Sequence, residues 1–239
     1  MQDRRTPGQM DSGLYIAAQG MLAEQVRQDQ LANDLANAST PGYKSDTATQ
    51  QSFGSLLLQN TATGQTVGTL NTGTRIDAIT TNLDPAGLRQ TDQPLDFAIA
   101  GNGFFAVRTT AGVRYTRDGQ FSTSAAGYLV DAQGNQVLGQ GGGPIRVGAK
   151  GTVPVTALGV FNVPNARKQG LNLFNGAAAG RGTGVIRQGE LEESGVDPVH
   201  TMIDMIGSLR AYESSQKAIQ SIDETLQKAA NSVGSLGGS

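Results

Sequence analysis

Cysteine and tryptophan are both missing from these 239 residues, and histidine occurs once. Without cysteine there are no disulfides and no thiolate metal sites, and no redox compartment can be inferred from cysteine pairing. A single histidine, His200, excludes histidine-rich metal centres and forces any nucleophilic triad through one residue in the first turn of a helix, where a surface or seam histidine is the simpler reading. Aromatic residues are only 5% of the chain against 33 glycines, lean material for a compact enzyme core, so burial is expected to be completed against neighbours. No run approaches the ~20 consecutive apolar residues of a membrane helix, which argues against direct membrane insertion. The start, MQDRRTPGQM, carries arginines with no apolar segment behind them and is not an ordinary secretory signal. Eighteen basic and twenty acidic residues are interspersed, which leaves no basic face for nucleic acid.

What is present divides into three zones by periodicity. The first is a helix expected to begin near Asp11 or Ser12, either of which can cap it, and to run to about Asn37. Its apolar residues, Leu14, Ala17, Ala18, Met21, Leu22, Val26, Leu31, Leu35 and Ala38, fall mostly three and four apart and form one stripe. Ala38-Ser39-Thr40-Pro41-Gly42 stops it, because Pro41 disfavours helical geometry at Thr40 and Gly42 permits a turn.

From about Thr61 to Glu190, threonine, valine and glycine dominate, with turn pairs at Asp118-Gly119, Ala126-Gly127 and Gln133-Gly134. This pattern predicts hairpins, with strands over 96–100, 104–109, 113–116, 127–131 and 155–162, preceded by an extended connector at about 54–82. The third zone opens at Asp197-Pro198, a cap followed by proline in the first helical position. A helix to about Val233, ~54 Å long, follows. Met202, Met205, Ile206, Leu209, Tyr212, Ile219, Ile222, Leu226, Ala230 and Val233 make its near-heptad seam, with Glu213–Lys217 and Glu224–Lys228 as i,i+4 pairs. The tail from Gly234 to Ser239 is expected to fray.

The fold class is therefore α+β: long N- and C-terminal helices forming a coiled-coil-like stem, with a mostly β central domain inserted between them. The expected boundaries are a disordered extension over 1–10, helix and turn over 11–60, connector and β domain over 61–190, and C-terminal helix with tail over 191–239. Residues 11–60 and 191–239 together form the helical core. A solitary amphipathic helix is marginal in water, so the seams must be buried against each other or against other subunits.

Candidate chemistry dissolves on inspection. Gly101-Asn102-Gly103-Phe104-Phe105-Ala106 fits a relaxed dinucleotide fingerprint, but strand-like Val107-Arg108-Thr109-Thr110 follows where a helix is required, so a glycine turn between strands is the better reading. Gly139 to Gly143 lacks the Lys-Ser/Thr of a phosphate loop. Glu190, Glu192, Glu193 and Asp197 cluster before a helix N-terminus, whose dipole accounts for acidic residues there. No catalytic site, metal or cofactor is expected.

The segment Leu31-Ala32-Asn33-Asp34-Leu35-Ala36-Asn37-Ala38-Ser39-Thr40-Pro41-Gly42-Tyr43-Lys44 resembles the N-terminal signature of bacterial flagellar rod and hook proteins, a LANNLAN-like helix ending at a T-x-G-[FY]-K turn. Asp34 stands where asparagine is more usual. Gln93 to Ile99 with Gly101 to Phe105, and Tyr115 to Phe121, are similar to the middle blocks of the rod branch; Ser194 to Val199 and Arg210 to Glu213 are similar to its C-terminal blocks, with Gly195 in place of asparagine. The resemblance implies a subunit polymerising through its terminal helices, with an interface over Leu14, Ala18, Met21, Leu22, Leu31 and Leu35 on one helix. The other helix would contribute Met202, Ile206, Leu209, Tyr212, Ile219, Ile222 and Leu226. It marks Asn33, Asn37, Pro41, Gly42 and Tyr43 as the motif turn. It also implies copies of itself and other rod subunits as partners, and export through the flagellar type III apparatus without a cleaved signal peptide. Val137-Leu138-Gly139, Gly143-Pro144-Ile145 and Gly170 to Phe174 look more like the proximal rod type than the distal one. Met1 to Gln9 precede the family-like start, which makes Met10 a plausible initiation site.

Overall fold

A computed structural model describes residues 7–52, 55–59, 66–71 and 74–236. Long helices at both ends of the chain pack together, and a large β region lies between them in sequence. The chain divides into two compact units: residues 1–33, 47–80 and 199–239 in one, and 34–46 with 81–198 in the other.

In the first unit, α1 (Pro7–Ala36) and α2 (Pro198–Leu236) run antiparallel. A Cβ at Gly13 would lie 3.7 Å from Ile222 Cδ1 and one at Gly20 would lie 3.7 Å from Ser215 Oγ, while Ser208 Oγ donates to Glu24 Oε2 at 2.6 Å. Positions 13, 20 and 24 thus meet 222, 215 and 208 in descending order. Small residues at the contact let the backbones approach closely, and Ala23 and Ser208 are buried there. The inward stripe of α2 is Thr201, Met205, Ser208, Tyr212, Ser215, Ile219 and Ile222, an unbroken alternation of four and three residues in which every side chain is buried or half-buried. Strands β1 (Asp46–Ser52), β2 (Ser55–Gln59), β3 (Thr66–Asn71) and β4 (Thr74–Thr81) form two ribbons, β1 with β4 and β2 with β3.

The second unit is built on a seven-stranded antiparallel sheet. Its strands are β7 (Phe105–Thr109), β8 (Gly112–Thr116), β9 (Ser122–Thr123), β10 (Leu129–Val130), β11 (Gln136–Leu138), β12 (Arg167–Lys168) and β13 (Leu173–Asn175), ordered β12-β13-β8-β7-β11-β10-β9. Strand alternation sends Phe105, Val107 and Val137 to one apolar cluster and Phe104, Ala106 and Leu138 to another. Both faces of the central strands are covered, which is why Phe104-Phe105-Ala106-Val107 reads as a continuous apolar run. Flanking the sheet, β5 (Leu88–Gln90) pairs with β15 (Glu190–Glu192), and β6 (Phe97–Ala100) pairs with β14 (Val185–Gln188). Ends of the unit far apart in sequence are thereby stitched together.

Several expectations change. The first helix starts at Pro7, four residues ahead of the expected cap at Asp11, because proline is tolerated in a first turn whose N–H groups have no intrahelical partner. Residues 1–6 of the expected disordered extension lie outside the described residues. The expected connector is largely strand: its threonine-rich ribbons are held by main-chain ladders and do not announce a buried face. The expected strand over 155–162 is instead a 3₁₀ turn at Val155–Ala157 followed by single bridges at Leu158 and Phe161, since Pro154 removes a ladder donor at its start. Asp118-Gly119 is a close crossing, with Phe97 N donating to Gly119 O at 3.0 Å, whereas the other two turn pairs cap hairpins. The helix reaches Leu236, past the expected stop at Val233 and into the expected frayed tail; residues 237–239 lie outside the described residues.

Candidate assembly site

Glycines at 101 and 103 carry φ of 103° and 141° and turn the chain from β6 into β7, so the fingerprint-like segment opens a strand. His200 is exposed, its Nε2 3.8 Å from Asp204. Among the described residues no cluster of three His, Asp or Glu side chains could hold a metal ion, and no helix is long and apolar enough to cross a membrane.

The expected interface residues sort into two sets. On α2, Tyr212, Ile219 and Ile222 belong to the inward stripe, while Met202, Ile206, Leu209 and Leu226 are exposed. On α1, Leu14, Ala18, Met21, Leu31 and Leu35 are half-buried and Leu22 is exposed. One seam was expected, and there are two stripes. The inward one is hidden in sequence because Thr201, Ser208 and Ser215 occupy positions that a pattern search assigns to apolar residues. The outward stripe of α2, Val199, Met202, Ile203, Ile206 and Leu209, is about half exposed throughout; Tyr15, Leu22 and Val26, at i, i+7 and i+11, make its counterpart on α1. Ala230 and Val233 lie beyond the described side chains.

The motif turn is organised differently, around buried charge. Asn37 is buried, accepting from Thr40 Oγ1 at 3.2 Å, and its main-chain oxygen accepts from Ser194 Oγ at 3.0 Å. Asn33 is exposed on α1. Pro41 O accepts from Asn172 Nδ2 at 3.3 Å. Gly42 adopts φ 65°, and a Cβ there would fall 2.4 Å from the Arg117 carbonyl carbon, so both backbone conformation and space require glycine. Tyr43 is buried with its hydroxyl donating to Asp34 Oδ1 at 2.7 Å and the Lys168 ammonium 3.8 Å from its ring centroid.

Next to it, the fully buried Lys44 Nζ meets Glu192 Oε1 at 2.6 Å and the Asp84 carbonyl at 2.6 Å, and Arg117 Nη1 meets Glu192 Oε2 at 3.1 Å. Ala86 N also donates to Glu192 at 3.0 Å. The helix dipole does not explain Glu192, which is the buried anion between two buried cations. Its partners are 148 and 75 residues away in sequence, so no local pattern points to them. Desolvation pushes the Lys44 ammonium below its ordinary value while Glu192 holds it up. Desolvation likewise raises the Asp34 and Asp118 carboxyls, against hydrogen bonds from Tyr43 to the first and from Gln120 and Asn172 to the second. Taking one partner from such a buried pair costs ~3–5 kcal/mol, because the survivor stays buried and uncompensated.

The terminal helices thus form an antiparallel pair with apolar stripes left outside, and buried charge organises the turn that follows α1. Residues 14–44 match the model of flagella basal body rod proteins, residues 98–165 the flagellar hook protein FlgE/F/G D1 domain, and residues 187–232 the C-terminal model of flagellar basal body rod FlgEFG proteins. Over 95% of its length the chain is 30% identical to the whole of the flagellar hook-basal body complex protein FlhO of Bacillus subtilis. It is 32% identical, again over 95%, to the whole of the flagellar basal-body rod protein FlgF of Caulobacter vibrioides. To the rod protein FlgG of Borreliella burgdorferi it is 32% identical over 93% of this chain and 98% of that one. The chain belongs to the bacterial flagellar basal-body rod and hook protein family, and it is a structural subunit, not an enzyme.

Proposed function

We propose that this chain is a subunit of the flagellar basal-body rod that polymerises through its terminal helices into the torque-transmitting axial tube. The observation that carries this is the outward stripe from Val199 to Leu209, with Tyr15, Leu22 and Val26: it stays exposed after α1 and α2 have already satisfied each other through small residues. Soluble proteins rarely leave such a set of aliphatic side chains uncovered without a partner. Burial of each is worth ~1.5–3 kcal/mol, and the gain recurs in every subunit of a polymer. The partners are copies of the same chain and other rod subunits, and the route out of the cytosol is the flagellar type III export apparatus, without a cleaved signal peptide. Its place is the proximal part of the rod within the cell envelope, on the segments 137–139, 143–145 and 170–174. Isolated basal bodies provide the test: the chain should be found within the rod, and a Leu209→Asp strain should export it without building rods. Detection of the chain only at a tip, outside the rod body, would replace polymerisation with a capping role.

A further inference from the structure

Two apolar faces of the helical unit point in opposite directions. On α1, Tyr15, Leu22 and Val26 each follow by two residues an inward position, Gly13, Gly20 or Glu24. On α2, Val199, Ile203 and Ile206 each precede by two residues an inward position, Thr201, Met205 or Ser208. Two residues turn a helix by about 200°, so each outward set faces away from the other helix. A twofold dimer would cover one of these faces and leave the other in water.

The two faces also stand at different heights. Gly13 meets Ile222 and Gly20 meets Ser215, and in that antiparallel register Leu22 is level with the exposed Glu213 and Tyr15 with the exposed Gln220. A second copy set alongside at the same height would therefore oppose Leu22 to a carboxylate. Slid by about ten residues, or about 15 Å along the axis, its α1 face matches the α2 face. Leu22 then lies on Ile203 and Val26 on Val199. Tyr15 reaches the exposed Arg210, a cation for its ring, and the exposed Asp29 reaches the first turn of α2, whose dipole favours a carboxylate.

We infer that each outward face is covered by a second copy of this chain, the α1 face of one copy on the α2 face of the next, head to tail and staggered by about 15 Å. Such a contact leaves one free face at each end of the row, so it propagates. The stagger makes the row climb as a helix and keeps it from closing as a flat ring. This rests on the proposed axial role.

The chain has no cysteine, so introduced thiols report the contact directly. Full-length chains carrying Leu22→Cys and Ile203→Cys, co-expressed and oxidised in isolated basal bodies, should give a covalent dimer that neither variant gives alone. A dimer from either variant alone means that like faces meet, and overturns the head-to-tail contact. Readier linkage of Leu22→Cys to Glu213→Cys than to Ile203→Cys overturns the stagger. If the thiol variants do not enter rods, Tyr15→Glu, opposite Arg210, should still support swimming, while Tyr15→Lys should reduce it severalfold; equal motility of the two overturns the register. Absence of the unaltered chain from rods would remove the axial role and this contact together, whereas rods that contain the thiol variants without the disulfide would sink the contact alone.

Discussion

The two units bury opposite things. In the helical unit the small and hydroxyl-bearing residues Gly13, Gly20, Ser208 and Ser215 are inside and aliphatic residues such as Ile206 and Leu209 are outside. In the β unit large apolar groups fill two clusters, and even its charges, Lys44, Arg117 and Glu192, are buried and paired. One unit is complete by itself. The other has used a mixed seam internally, with Thr201, Ser208 and Ser215 set between Met205, Tyr212, Ile219 and Ile222, and leaves a second apolar stripe exposed. The gain from burying apolar surface is roughly proportional to its area whichever chain supplies the partner, so this exposed stripe is the face that a partner subunit would cover under the proposed role.

The largest effect should come from disturbing the complete unit. A Cβ at Gly119 would lie 1.5 Å from the Phe97 carbonyl oxygen, so Gly119→Ala must displace β6 and should cost ~4 kcal/mol or more, seen as a large drop in melting temperature by circular dichroism. A small drop would mean that the crossing yields and that the β unit is less tightly packed than its two apolar clusters indicate.

Next comes the contrast between stripes. Leu209→Asp should abolish assembly and leave thermal unfolding of the monomer nearly unchanged, since the site is already half exposed. Ile219→Asp, on the inward stripe, should loosen the helix pair itself; burying an unpaired carboxylate there adds to a lost apolar contact of ~1.5–3 kcal/mol. Equal behaviour of the two variants in helical content and in assembly would dissolve the distinction between an inner and an outer face.

A smaller effect is expected from Gly20→Leu. The ideal Cβ has room, at 3.7 Å from Ser215 Oγ, but the rest of the side chain does not, and overpacking of this kind costs ~1–3 kcal/mol. Helical circular dichroism should melt earlier while the β signal holds.

The smallest effect concerns Asp34. Burial raises its carboxyl above the ordinary value, so ionising it costs folded stability: the contribution is fully present below the ordinary carboxyl value and is lost as pH rises through the raised one. Asp34→Asn, which can still accept from Tyr43, should therefore be at least as stable as wild type at neutral pH, with the difference vanishing on acidification towards pH 4. A deficit at neutral pH would show that the charge, not the hydrogen bond, serves the turn.

Composition and periodicity were sufficient for the α+β class, the two terminal helices, the stop at Thr40-Pro41-Gly42 and the glycine turn into β7. These are local decisions: proline geometry, left-handed glycine and apolar spacing act within a few residues. The apolar residues of α2 were legible too, though not their division between faces, because the inward heptad is completed by Thr201, Ser208 and Ser215. Only the packed chain decided that division, as α1 sets Gly20 beside Ser215 and Glu24 against Ser208. Only the packed chain could bury Glu192 between Lys44 and Arg117, because an ion pair spanning 148 residues forms where the turn after α1 meets β15, with Gly42 N donating to Glu192 O at 2.9 Å, and leaves no periodic trace in the sequence.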